Sequence, residues 1–159
     1  MEITYQPIGI VHSPFKQVEN IPIQTSGAQG IKGSIEIYPM YIEGLKDLDG
    51  FSHIFLIYHF HLVYTIRMTV IPFLDTKKRG VFSTRAPTRP NSIGLSVVRL
   101  LNVEHGTLHI ENVDLVDGTP LLDIKPYVPI FDVHPTENIG WLGNKVEDLG
   151  EKRSDERFS

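Results

Sequence analysis

The sequence contains no cysteine, and that one absence removes disulfide frameworks, thiolate zinc sites, iron–sulfur clusters and cysteine nucleophiles together. It has no apolar run of the roughly eighteen residues a membrane helix needs, and its first residues, Met1-Glu2-Ile3-Thr4, lack the basic and apolar regions of a signal peptide. A cytoplasmic location without membrane association is therefore expected. No Gly-x-Gly-x-x-Gly follows a strand-like run and no phosphate loop occurs, which leaves a Rossmann cofactor site or an NTPase without support. No Gly-x-Ser-x-Gly turn is present, so Ser92 and Ser96 read as loop and strand serines, not as hydrolase nucleophiles. His53, His59 and His61 fall at even offsets in one strand-like run, but no neighbouring acid completes a ligand shell and no His-Glu-x-x-His occurs. Packed strand histidines and no metal are the expectation. What remains is chemistry by oxygen, nitrogen or an organic cofactor.

What is present is enough for one core: 159 residues, 41% of them hydrophobic, with eight Phe and six Tyr. Strands are expected over residues 3–13, interrupted by Pro7, over Ser34–Tyr38, over His53–Val63 and over Leu121–Tyr127. Leu95–Glu104 and Thr107–Val113 read as a hairpin turning at His105-Gly106, and Asp117–Pro120 reads as a further turn. Tyr41, Ile42, Leu45 and Leu48 have helical spacing behind Pro39, so a helix is expected over Pro39–Leu48. Residues 14–33 and Pro72–Gly94 are long connections, the second with a possible extended piece at Val81–Ser83, and Arg67–Ile71 has the pattern to extend or pair with the strand before it. Many short strands, one short helix and long loops imply an all-β or β-rich fold, a single small barrel and not a doubly wound sheet. The barrel domain is placed over residues 1–140, with a charged, frayed or lightly docked tail over 141–159.

Charge is unevenly spread. From Arg67 to Arg99 seven basic residues face one acid, Asp75, a balance of +6, while the other residues together carry −10. A basic segment inside an acidic protein suggests a local contact with phosphate or nucleic acid. Lys77, Lys78, Arg79 and Arg89 are the candidates, with the Asn91 amide beside them. Within Ser83–Leu95, Pro87 and Pro90 stiffen the loop that holds Arg85 and Arg89, whose planar guanidiniums suit phosphate or carboxylate. The second polar cluster runs from Asp114 to Tyr127, where Asp123, Lys125 and Tyr127 alternate onto one strand face as an acid, an ammonium and a phenol. A plain surface ion pair beside a tyrosine is the bland alternative.

Six segments in order, Gly9–Phe15, Gly50–Ile54, Phe60-His61, Gly80–Arg85, Arg89–Ser96 and Asp114–Tyr127, resemble the tRNA methyltransferase O family, also called TsaA-like, in a short form without the C-terminal domain of longer members. The resemblance implies a non-Rossmann β-barrel that binds S-adenosylmethionine as a homodimer. The implied reaction is N6-methylation of N6-threonylcarbamoyladenosine at tRNA position 37. Carried over position by position, it places cofactor contacts at Pro22, Ile23, Gln24, His61, Leu62, Arg85 and Leu95, and at Asp114, Leu115, Val116 and Asp117. Asp123, Lys125 and Tyr127 then line the acceptor side as catalytic candidates. The family commonly has Arg at the place of His12, Trp at Phe55 and Pro at Ser92, and Gln-Pro where this chain has Gln24-Thr25. A non-catalytic cofactor-binding module and a simple RNA-binding barrel are the competing readings.

Overall fold

The computed structural model describes residues 1–143, 145, 153–155 and 157. Among them, six strands close into an antiparallel barrel: β1 (Gly9–His12), β2 (Lys32–Ile37), β3 (His53–His59), β6 (Ile93–Glu104), β7 (Thr107–Glu111) and β8 (Thr119–Pro126). Their order around the barrel is β1-β2-β7-β6-β3-β8, and β1 pairing with β8 shuts the ring. Closure leaves these strands with no unpaired edge. Two shorter strands, β4 (Thr69–Val70) and β5 (Arg79–Gly80), pair apart from the barrel within the basic segment.

Alternation explains the core. Val11, Ile35, Ile37, Ile54, Leu56, Val98, Leu100, Leu108, Ile110 and Leu121 all point inward, buried at 7% exposure or less. Each contributes on the order of 1.5–3 kcal/mol by leaving water, and together they fill the lumen of a barrel this narrow. The inward phase of β6 continues from Val98 back to Ser96 and Gly94, and that of β3 ends at Tyr58, so one end of the lumen is polar. A smaller cluster, Val70, Val81 and Ala86 with Phe73, supports the basic segment from below.

The hairpin turn at His105-Gly106 is present, and both residues have positive φ, 51° and 83°, as a two-residue type I′ turn requires. Elsewhere the strand bounds differ from expectation in both directions: β2, β6 and β8 each begin two residues earlier, so Thr119 and Pro120 pair with β1 instead of turning, while β1, β3 and β7 are shorter. β1 begins only at Gly9, and residues 1–7, Pro7 included, lie exposed outside the sheet. β3 stops at His59 because its partner β6 begins opposite it at Ile93; the chain then turns at Phe60–Val63, so His61 is not on the strand at all. The expected helix over Pro39–Leu48 is a 3-10 helix over Pro39–Leu45, ended by the chain's reversal at Asp47, which has φ 65°. Val81–Ser83 is a 3-10 turn and not extended, since burying Val81 folds the segment inward. Among the described residues the α-helix is a single turn, Pro129–Asp132, that no periodicity announced. No helix is long and apolar enough to cross a membrane among the described residues.

Candidate functional site

The polar end of the lumen opens into a cavity of about 470 Å3, within the range of small-molecule sites. Its walls come from separate loops. Pro22, Ile23 and Gln24 enter from the connection after β1, His61 and Leu62 from the turn after β3, and Arg85 and Arg89 from the proline-stiffened loop. Leu95 projects from β6, and Asp114, Leu115 and Val116 enter from the β7–β8 connection. Phe55, Phe60 and Phe73 add apolar surface, and Ser154 and Asp155 close one side.

At the floor lies a chain of three side chains. Ser96 Oγ donates to Asp114 Oδ1 at 2.8 Å, and Tyr58 Oη lies 3.1 Å from Ser96 Oγ. Both hydroxyl residues are 5% exposed. Burial pushes the Asp114 carboxyl up to about 6, against the opposing pull of the Ser96 hydrogen bond and the Arg85 charge. Burial first, and the Asp114 charge next, hold the Tyr58 phenol well above its ordinary value, so it stays protonated. His61 is shifted downward by burial and by neighbouring His59, which favours the neutral imidazole.

Ten of the eleven residues marked as cofactor contacts line this one cavity; Asp117 does not. Its carboxylate instead accepts from the Ser13 backbone N–H at 3.0 Å and from Lys16 Nζ at 2.7 Å, and those bonds hold it below the usual carboxylate range. Asp123 and Lys125 form an exposed ion pair at 2.9 Å on the outer face of β8. They stand outside the cavity but beside it: Lys125 pairs across the sheet with Phe55, and the Tyr127 ring meets Phe55 edge-on at 5.4 Å.

The basic residues separate into two kinds. Lys77 and Lys78 are exposed. Arg79 is fastened to Asp75 at 2.7 Å, with Lys145 on the same carboxylate, and Lys145 followed by Arg79 holds Asp75 well below the carboxylate range. Arg89 donates to the carbonyls of Thr84 and Ala86 at 3.0 and 3.1 Å, stitching its own loop, while Asn91 is exposed at the loop's end. No group of three or more metal-type ligands occurs among the described residues.

Sequence reasoning overlooked Tyr58 and Ser96. The available signal was phase: Ser96 sits two residues before Val98 on the inward face of β6, where an apolar residue is expected. Ser154 and Asp155 carried no such signal, because their place depends on how the tail returns.

A closed β-barrel with a loop-walled, mixed apolar and charged cavity at its mouth defines a small-ligand-binding barrel protein outside the Rossmann class. The chain belongs to the tRNA-methyltransferase O N-terminal domain family, whose model matches residues 10–133. It is 54% identical over 156 residues to a probable S-adenosyl-L-methionine-binding protein of Pyrococcus abyssi, covering 98% of this chain and 85% of that one. It is 38% identical over 135 residues to the mouse tRNA (adenine(37)-N6)-methyltransferase, covering 80% of this chain but only 31% of the mouse protein. The crystal structure of TrmO from Pseudomonas aeruginosa superposes with a TM-score of 0.75 at 39% identity, and this chain spans 63% of it.

Proposed function

We propose that the protein is an S-adenosylmethionine-dependent methyltransferase that methylates N6 of N6-threonylcarbamoyladenosine at position 37 of tRNA. The observation that carries this reading is the single cavity that gathers Pro22–Gln24, His61, Leu62, Arg85, Leu95 and Asp114–Val116. The lining fits the cofactor's chemistry: Phe55, Phe60, Leu95 and Leu115 offer surface for an adenine ring, and Asp114 offers a counter-charge for the cationic parts. When bound, S-adenosylmethionine supplies an electrophilic methyl group on a sulfonium. Asp117 supports the site from outside by holding the Ser13–Lys16 turn.

The accepting nitrogen is conjugated to a purine and a carbonyl, so it is a weak nucleophile that must be aligned and must lose its proton. Asp123, Lys125 and Tyr127, at the cavity's rim beside Phe55, are assigned to the acceptor side. The exposed Lys77 and Lys78 and the loop-end Asn91 are assigned to the tRNA backbone, on a loop braced by Arg79 and Arg89. A second copy of the chain as partner and a cytoplasmic setting are proposed on the family resemblance, since the exposed Leu95 already belongs to the cavity wall. Calorimetric titration with S-adenosylmethionine tests the cavity assignment, and full turnover by folded Asp123→Ala and Lys125→Ala variants would remove the acceptor assignment. The names of the archaeal relatives favour one other reading, a protein that binds the cofactor without transferring its methyl group.

A further inference from the structure

The interior of β6 is a costly place for a hydroxyl. Ser96 occupies an inward position two residues from the fully buried Val98, where an alkyl side chain would contribute more to stability than a serine. Its hydrogen bonds do not serve the backbone. They run to two ionisable groups, Tyr58 on β3 and Asp114 in the cavity wall. A hydroxyl carries one hydrogen, and an ionised carboxylate only accepts. With the Ser96 hydrogen on Asp114, the Tyr58 hydroxyl must donate to Ser96, and the chain is polarised from Tyr58 through Ser96 to Asp114.

We propose that Ser96, backed by Tyr58, is the positioning residue that holds the Asp114 carboxylate toward the cavity in its anionic form, and so sets the pH at which the protein loses its grip on a cationic methyl donor. This rests on the reading that the cavity takes S-adenosylmethionine. The barrel interior leaves Asp114 poorly solvated, and the Ser96 bond and the Arg85 guanidinium oppose that penalty. The other titratable or charged groups lining the cavity are His61, Arg89 and Asp155. Arg89 is tied to loop carbonyls, and His61 is shifted toward its neutral form. Beside a backbone N–H, Ser96 is the neutral side-chain donor on the carboxylate, which makes it separable from these charges by substitution.

The test is calorimetric titration of the full chain with S-adenosylmethionine from about pH 5 to about pH 8, for wild type, Ser96→Ala, Ser96→Thr and Tyr58→Phe. Wild-type affinity is expected to fall as pH drops through about 6. Without the Ser96 bond the carboxyl takes its proton sooner, so in Ser96→Ala the fall moves up by about one pH unit. Ser96→Thr restores the wild-type profile, and Tyr58→Phe moves it in the same direction by less. A Ser96→Ala profile weakened equally at every pH, or one with an unmoved midpoint, overturns the proposal. Circular dichroism checks folding; if Ser96→Ala does not fold, Tyr58→Phe decides, and an unshifted midpoint there counts against the proposal. Failure of the wild type to bind at any pH contradicts the functional reading itself.

Discussion

The ring of Tyr58 lies against the Cα of Gly94, its cross-strand partner: a Cβ built on residue 94 would stand 2.2 Å from Tyr58 Cε2 and 2.4 Å from Cζ. The missing side chain is what lets the phenol lie flat across the barrel end and reach Ser96. Gly94→Ala must therefore displace the ring, because the clash is with its rigid body and not with a flexible tip. A loss of about 1–3 kcal/mol in chemical denaturation is expected, together with weakened cofactor binding as Tyr58 leaves Ser96. Wild-type stability and binding in Gly94→Ala would show that the ring has room the packing denies.

Asp114 is expected to be a residue the fold tolerates at a cost. Burial raises its folded-state value from 3.8 to about 6, so the native state holds this proton more tightly than the unfolded chain does. Stability contributed at this position is therefore greatest below the ordinary value and declines as pH rises through about 6. Asp114→Asn keeps an oxygen to accept from Ser96 and removes the charge. Its melting temperature at neutral pH should equal or exceed that of the wild type, while affinity for S-adenosylmethionine falls about tenfold or more. A variant that melts lower and binds normally would assign Asp114 a purely structural part.

The hairpin and the barrel class were legible because β7 alternates, because β6 alternates in burial up to Leu100, and because His105-Gly106 accepts two successive positive φ values. Boundaries were not, for reasons outside each segment. β3 ends where β6 begins to pair, not where Phe60–Val63 stop being apolar, and Leu45 and Leu48 share a helical spacing that Asp47 breaks by turning left-handed. In the site, single residues such as Arg85 and Leu95 were marked through the family resemblance and line the cavity, whereas the Tyr58–Ser96 bond spans 38 positions and exists only through strand register.

The two classes of basic residue should separate in tRNA binding. Lys77 and Lys78 are exposed, while Arg79 shares Asp75 with Lys145 and rests near the Trp141 ring, 5.6 Å from its centroid. Lys77→Ala and Lys78→Ala should each reduce the slope of log affinity against log salt by about one. Arg79→Ala should change that slope less and lower the stability of the loop more. Measured slopes indifferent to all three substitutions would move the RNA face elsewhere.

Ser154 ties the tail to the wall of the cavity. Its backbone pairs with Asn20 and Ile21, its Oγ accepts from the Ile21 N–H at 2.9 Å, and the same Oγ donates to the Val18 carbonyl. Ser154→Ala removes both side-chain bonds and leaves the barrel untouched. Affinity for the cofactor should fall several-fold while the melting temperature moves by only a few degrees, and protection of the amides near Ile21 from hydrogen exchange should drop. Unaltered exchange at Ile21 would mean the tail does not hold this wall.

The central claim is met most directly by offering the protein radiolabelled S-adenosylmethionine with tRNA that carries the N6-threonylcarbamoyl group and with the same tRNA lacking it, followed by nucleoside analysis. Label confined to the methylated N6-threonylcarbamoyladenosine of the modified tRNA is the predicted result. No label in either tRNA, from a sample shown by calorimetry to bind S-adenosylmethionine, would contradict the methyltransferase reading and leave a cofactor-binding protein in its place.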